Sequence, residues 1–201
     1  VVDCICASPT KIKEMLKKMY PESPVSFLNS GLNGSNATAG YERLIKDVIP
    51  NKPDLLVVCF GLNDSNAEME GIEIYKTALR NIFHAAKEAD IETIFMTPNM
   101  LNTYIADDTK NHIEYAAVTA KMQNEGKMDL YMEKAIALAE DMNVTVCDCY
   151  GKWKELSKTE DITMLLANRI NHPTKEMHEV FAQSLFEIIF PDSNEVIRSN
   201  E

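Results

Sequence analysis

The stretch that decides the fold is Lys52-Pro53-Asp54-Leu55-Leu56-Val57-Val58-Cys59-Phe60-Gly61-Leu62-Asn63-Asp64. Its apolar run lies between a proline and a glycine, which is typical of a buried strand followed by a turn. Similar runs occur at Val25 to Leu28, Glu92 to Thr97 and Asn143 to Asp148. Together with Leu55 to Phe60, they predict four buried strands.

Segments with helical spacing lie between and around these runs. Their apolar residues recur three or four positions apart, as on one face of an amphipathic helix. These stripes are Ile12, Met15, Leu16 and Met19; Leu44, Ile45, Val48 and Ile49; Ile74, Ala78, Ile82, Ala85 and Ala86; Ile136, Leu138 and Ala139; and Val180, Phe181, Leu185 and Ile188. The alternation predicts an α/β fold, a three-layer α/β/α sandwich around a parallel sheet, because crossovers between parallel strands carry covering helices. No linker divides the 201 residues, so we expect one domain over residues 1–201.

Charge and cysteine content exclude several classes of function. Lys and Arg total 20 against 31 Asp and Glu, a net charge of -11, which repels nucleic acid backbones and anionic lipid. No apolar run is long enough to cross a bilayer. The odd count of five cysteines predicts free thiols and favours the cytoplasm, without fixing localisation. We expect no cofactor and no metal, because Cys4/Cys6 and Cys147/Cys149 lack the usual spacing of structural zinc ligands.

Three polar segments follow or flank the predicted strands. They are Asn29 to Asn36, Gly61 to Ser65, and Asn171 to Pro173. In open parallel sheets, functional groups gather beyond the carboxyl ends of the strands. We therefore expect these segments to meet at one edge of the sheet.

Gly34, Asn63 and His172 have the chemistry that ester hydrolysis needs. A glycine lets its backbone N–H approach a ligand closely, and an asparagine amide is a donor that stays protonated. A histidine can accept and return a proton near neutrality. Each residue also has a simpler interpretation: Gly34 as a turn glycine, Asn63 as an Asx-turn residue, and His172 as an entry residue of a helix starting at Pro173 or Thr174.

Taken in order, these segments resemble the SGNH (GDSL-type) hydrolases, a family of esterases and acylhydrolases with a flavodoxin-like fold. The resemblance runs from about Tyr20 to the final helix. Asn29 to Gly34 is similar to the block whose glycine supplies an oxyanion-hole N–H. Gly61-Leu62-Asn63-Asp64 is similar to the Gly-x-Asn-Asp block, whose asparagine supplies a second donor. His172-Pro173 is similar to the last block, which implies that His172 is the general base.

The sequence departs from the family pattern in two places. No Gly-Asp-Ser block occurs, so we expect the nucleophilic serine at or upstream of Val1 and the domain to lack its first strand. The last block of the family has an aspartate three residues before the histidine. In this sequence that position is Arg169, with Asn168 beside it. His172 would then use another acceptor, such as a backbone carbonyl or Asp161, or act in a Ser-His dyad.

Two serines within the chain are weaker candidates for the nucleophile. Ser8 precedes Pro9 and a helical stripe, which is typical of a helix N-cap, and residues 1–7 are expected to be helical or irregular. Ser65 follows Gly-x-Asn-Asp and is interpreted as a turn hydroxyl. The long polar segment from Met100 to Asp129 either shapes the substrate pocket or covers the periphery.

The leading hypothesis is a serine ester hydrolase for a small-molecule ester, with small acyl or acetyl esters, including esters on carbohydrate, as candidates. The alternative is a catalytically inactive SGNH-like domain that binds a glycan or a protein partner. A flavodoxin-like nucleotide binder has little support, because the chain has neither G-x-G-x-x-G nor G-x-x-x-x-G-K-[ST].

Overall fold

A parallel sheet lies at the centre of the fold. The structure, a computed structural model, describes residues 11–17, 21–22 and 24–191. Within these residues the sheet has three strands, β1 (Leu55–Val58), β2 (Glu92–Met96) and β3 (Thr145–Cys147), in the order β1-β2-β3. Three of the four predicted strands are confirmed, each slightly shorter than its apolar run.

Helices connect and cover these strands. They are α1 (residues 11–17), α2 (Ala37–Arg43), α3 (Ile72–Glu88), α4 (Ile113–Asn124), α5 (Lys127–Asp141), α6 (Cys149–Leu156) and α7 (His178–Ile189). Shorter turns are a π-helical segment at Leu44–Val48 and 3₁₀ segments at Ile49–Asn51, Asp64–Gly71 and Ile162–Leu165. The described positions of the five predicted stripes lie in α1, in the continuation of α2, and in α3, α5 and α7.

Both faces of the sheet are covered. Ile94 and Phe95 are neighbours on β2 and therefore point to opposite faces, yet their exposed fractions are 3% and 0%. The ring of Phe83 on α3 packs edge-on against Phe95, with 5.8 Å between centroids, while α7 contacts β3. The predicted three-layer α/β/α arrangement is confirmed.

The predicted strand at Val25 to Leu28 is wrong. Residues 24–30 form no regular structure, and Val25, Phe27 and Leu28 are 43%, 40% and 56% exposed. Alternation alone does not make a strand, because the backbone also needs a ladder partner, and no described strand pairs with this segment. The expectation for residues 1–7 lies outside the described residues. Over the part of the chain that is described, each helix is too short or too polar to cross a bilayer.

Candidate active site

The side chain of Asn63 joins the loop after β1 to the 29–36 segment. Its Nδ2 donates a 2.9 Å hydrogen bond to the carbonyl oxygen of Ser35, and it makes no cap bond to the 3₁₀ turn that follows. The Asx-turn interpretation of Asn63 is therefore wrong. Gly34 lies next to Ser35 with φ +73°, so it is a turn glycine in a left-handed conformation. The two predicted oxyanion donors lie in loops that touch.

Asp64 makes a second connection between the same loops. Its Oδ1 accepts the backbone N–H of Ala37 at 2.8 Å, and its Oδ2 accepts that of Gly61 at 3.0 Å. Burial raises the pKa of this carboxyl above its usual value, and the two amide donors partly offset the shift. One buried carboxylate thus holds the start of α2 against the turn that presents Asn63.

Gly61 can be replaced by no other residue without strain. Its φ is +135°, a region that side chains rarely adopt. A Cβ at this position would lie 2.6 Å from Cε of Met132 and 3.1 Å from Oη of Tyr75. This packing lets the chain turn sharply after β1 and brings Asn63 and Asp64 to face the 29–36 segment.

His172 lies at the base of a tight turn. The backbone N–H of Ala167 donates to the carbonyl oxygen of His172 at 2.6 Å, and Leu166 and Pro173 form an antiparallel bridge. The last helix begins only at His178, so the interpretation of His172 as a helix-entry residue is wrong. His172 instead follows the tip of a hairpin-like turn, and the backbone hydrogen bonds of that turn fix its position.

The His172 turn is attached to the carboxyl end of β2. Asn99, three residues beyond that strand, donates from Nδ2 to the carbonyl oxygen of Asn171 at 2.9 Å. Strands β1 and β2 are parallel neighbours, so their carboxyl ends lie at the same edge of the sheet. Asn63 and the turn that carries His172 both lie beyond this edge.

Asp161, the candidate acceptor for His172, and Arg169, at the family's acidic position, both contact the loop before α4. Asp161 accepts from the Tyr104 hydroxyl at 2.7 Å and from the backbone N–H of Met164 at 3.4 Å. The guanidinium of Arg169 makes a bidentate pair with Asp108, with N–O distances of 2.9 and 3.0 Å. Both interactions join the segment before His172 to the loop before α4, so part of the Met100 to Asp129 segment flanks the turn.

Sequence analysis gave no role to Asn168, Asn99 or Asp64, although all three organise these loops. The side chain of Asn168 accepts three backbone N–H groups. Short polar side chains that bond to nearby backbone are common at turns. The run Asn168-Arg169-Ile170-Asn171 could therefore have been predicted as a turn held by its asparagines. No local pattern predicts the contact of Asn99, because its partner lies 72 residues away.

A second histidine lies near the site. His178 begins α7, is 3% exposed, and has its ring 6.1 Å from that of Phe181. Burial lowers the pKa of His178, and electrostatic interactions with Lys11 and His172 lower it further. At neutral pH this residue is therefore a neutral packing group beside the His172 turn.

The remaining candidates are simpler to place. Ser65 is fully buried, and its hydroxyl donates to the carbonyl oxygen of Leu62, which confirms the predicted turn hydroxyl. Ser8 lies outside the described residues. The Sγ atoms of Cys147 and Cys149 are 3.8 Å apart and buried, and the described residues contain no cluster of three or more His, Cys, Asp or Glu suited to a metal ion.

Comparison with known proteins identifies the family. Residues 7–180 match the GDSL-like Lipase/Acylhydrolase family. This chain belongs to that family. It is 24% identical to an acetylxylan esterase of Geobacillus stearothermophilus over 179 residues, which are 85% of this chain and 74% of that enzyme.

Solved structures of acetylxylan esterases share the fold. Axe2 from Geobacillus stearothermophilus has a TM-score of 0.71 at 23% identity, covering 90% of this chain and 79% of its own. AlAXEase has a TM-score of 0.73 at 18% identity, covering 93% and 96%. Variants of Axe2 described as catalytic mutants replace a serine, an aspartate or a histidine by alanine. By family and fold, this chain is a carboxylic ester hydrolase.

Proposed function

We propose that this GDSL-type esterase removes acetyl or other small acyl groups from carbohydrate. Gly34 N–H and the Asn63 amide are the oxyanion donors, His172 is the general base, and a serine is the nucleophile. The observation that carries the proposal is the bond from Asn63 to Ser35 O. It holds the two donor loops together at the edge where the His172 turn is attached.

The geometry of Asn63 suits an oxyanion donor. A carboxamide nitrogen has two hydrogens, and one of them is used at Ser35 O. This bond fixes the rotation of the amide and leaves its second hydrogen for a ligand. A donor oriented before the reaction needs no reorganisation when negative charge develops, which is the condition for strong transition-state stabilisation.

The proposed reaction runs in two balanced steps. The serine oxygen attacks the ester carbonyl while His172 takes the hydroxyl proton, and the tetrahedral oxyanion accepts from Gly34 N–H and the Asn63 amide. Collapse releases the sugar alcohol, which receives the proton from His172. Water then repeats the sequence on the acyl-enzyme, and acetate leaves as the serine recovers its proton.

Support for a carbohydrate substrate comes from the relatives. The Geobacillus enzyme is named an acetylxylan esterase, and both solved structures belong to proteins with that name. An acetyl group on a sugar hydroxyl is a small ester with a neutral leaving group. The net charge of -11 does not disfavour such a substrate.

A second candidate function follows from Arg169. Where the family has an acidic residue, this chain has a guanidinium paired with Asp108. A family member without an acidic partner for its histidine can lack activity and still bind an acetylated glycan or a protein partner. Calorimetry with acetylated xylo-oligosaccharide separates the two candidates, because the inactive domain would bind the sugar without releasing acetate.

The test is acetate release from acetylated xylo-oligosaccharide and p-nitrophenyl acetate by the full-length protein. His172→Ala should lower kcat by about 10³-fold or more, and Asn63→Ala by about 10²- to 10³-fold. Asn51→Ala is the matched control, because the Asn51 side chain donates to Asp47 O and lies before the amino end of β1. Undiminished turnover by His172→Ala would exclude the proposed mechanism.

A further inference from the structure

We propose that Asn168 is the positioning residue for His172, in place of a carboxylate three residues before it. The inference rests on the proposed function, because it takes His172 as the general base. Its basis is the way one side chain organises the whole tip of the turn. Every contact involved joins described residues.

The carboxamide oxygen of Asn168 gathers three successive backbone donors. Its Oδ1 accepts the N–H groups of Ile170 at 3.1 Å, Asn171 at 3.0 Å and His172 at 3.0 Å. Backbone donors at a tight turn have no partner in a regular ladder, so they need such an acceptor. Because the last of the three is the amide of His172 itself, this oxygen fixes the backbone from which the imidazole projects.

The other half of the carboxamide closes the turn. Asn168 donates from Nδ2 to Oδ1 of Asn171 at 2.9 Å, and the carbonyl oxygen of Asn171 accepts from Asn99. Asn168 therefore sets the shape of the turn, and Asn99 sets its place at the end of β2. An aspartate at position 168 could accept the same three N–H groups, but it could not donate to Asn171.

Arg169 explains why the tip needs such support. It has φ +59°, a left-handed conformation that is unfavourable for a residue with a side chain. Its Nη1 donates to the carbonyl oxygens of Met164 and Leu166, and the remaining donors face Asp108. The side chain thus points to the flank of the turn, and the groups that hold the tip itself are uncharged.

The first test separates positioning from folding by kinetics on p-nitrophenyl acetate. Asn168→Ala should lower kcat by about 10²-fold, the scale of a misplacement near 1 Å, and change KM by less than about threefold. Asn168→Asp keeps the acceptor and should recover most of the lost kcat. Its added carboxylate should move the acidic limb of the kcat/KM profile to higher pH, because a nearby negative charge favours the imidazolium.

Charged groups near the turn must stay the same in these variants. The charged groups are the Arg169–Asp108 pair and Lys11, and the buried His178 is a titratable group beside them. Asn51→Ala again serves as the matched control and should leave kcat and the pH profile unchanged. Equal kcat in Asn168→Ala and wild type would overturn the inference. Equal losses in the alanine and aspartate variants, with no shift of the acidic limb, would overturn it as well.

A second measurement does not depend on esterase activity. Hydrogen exchange of the amides of residues 170–172 should speed up in Asn168→Ala and stay slow in Asn168→Asp, since only the alanine removes their common acceptor. NMR titration should give a higher His172 midpoint in Asn168→Asp than in wild type. If the wild-type protein gives these results but shows no esterase activity, the proposed function is rejected and the role of Asn168 in positioning His172 is supported. Unchanged exchange and an unchanged midpoint would reject that role.

Discussion

Asp64 illustrates how one buried side chain can control the placement of two loops. Its two oxygens accept from Ala37, at the start of α2, and from Gly61, in the loop after β1. Asp64→Asn turns one acceptor into an NH₂ group that faces an N–H donor. We expect kcat to fall by about 10-fold or more, and the free energy of unfolding to fall by about 1–3 kcal/mol.

Steady-state kinetics and urea unfolding measure both effects of Asp64→Asn. Asp161→Asn is a suitable comparison, because that carboxylate lies at an exposed turn and bonds to Tyr104 and Met164. The role given to Asp64 would be contradicted if both variants kept wild-type kcat and stability.

Gly34 and Gly61 form a matched pair for testing backbone strain. Both have positive φ, at +73° and +135°, but a Cβ at Gly34 would meet nothing within 4 Å, whereas one at Gly61 would lie 2.6 Å from Met132. Gly34→Ala should therefore cost only the strain of the left-handed backbone, about 1–2 kcal/mol. Gly61→Ala adds a steric clash of about 1–3 kcal/mol.

Urea unfolding of the two alanine variants tests that difference. The expected order of the free energy of unfolding is wild type, then Gly34→Ala, then Gly61→Ala. A Gly61→Ala protein as stable as Gly34→Ala would mean that Met132 and Tyr75 move aside at little cost.

At the scale of single elements, the position of His178 predicts a pH dependence of stability. Burial, with Lys11 and His172 nearby, lowers the pKa of His178 in the folded protein below its ordinary value of 6.5. Below about pH 6.5 the unfolded chain therefore binds more protons at this residue than the folded chain does. By linkage, the free energy of unfolding falls as the pH drops through this range. The stability that the neutral form of His178 contributes is fully present above the range.

His178→Phe should reduce that acid-side loss, because a phenyl ring binds no proton. The measurement is urea unfolding at pH 7.5 and pH 5.5 for wild type, His178→Phe and the control His84→Gln. His84 is exposed and lies by Glu88 on α3, so its variant removes a histidine without changing the packing around His178. An equal loss in wild type and His178→Phe would show that His178 does not contribute.

Strands were predicted correctly from the sequence where the local apolar pattern was accompanied by a pairing partner in the fold. Leu55–Val58 and Glu92–Met96 are apolar runs that also find parallel neighbours, and both were predicted as strands. Val25 to Leu28 has the local pattern without a described partner and forms no strand. The start of α7 was predicted four or five residues too early, because Pro173 favours a helix start and its bridge to Leu166 is not visible in the sequence.

The candidate site shows the same limit. The residue types at Gly34, Asn63 and His172 could be selected from the sequence, because their chemistry and order match a known pattern. The contacts that hold these residues could not be predicted, since the partner of Asn63 lies 28 residues away and that of Asn99 lies 72 residues away. Which loops touch depends on the order of the strands, which the sequence does not state.

For the molecule as a whole, the position of the nucleophile decides the activity of residues 1–201. If the serine precedes Val1, these residues alone should show no rapid turnover of short-chain p-nitrophenyl esters, because His172 and the oxyanion donors could then only assist water. The full-length protein assayed alongside should be active. Fast turnover by residues 1–201 that is lost in Ser8→Ala would instead place the nucleophile within the chain.

The hydrogen bonds between the 29–36 segment and the 61–64 loop restrict sequence change during evolution unequally in the two. To the bonds between the loops, the 29–36 segment contributes backbone atoms, the carbonyl of Ser35 and, just beyond it, the N–H of Ala37, which almost any residue supplies. The 61–64 loop contributes the side chains of Asn63 and Asp64. Saturation mutagenesis should therefore find residues 29–36 broadly permissive apart from Gly34 and Asn36, whose side chain caps α2, and residues 61, 63 and 64 nearly invariant. New substrate preferences can arise in the permissive loop while the other keeps the reaction intact.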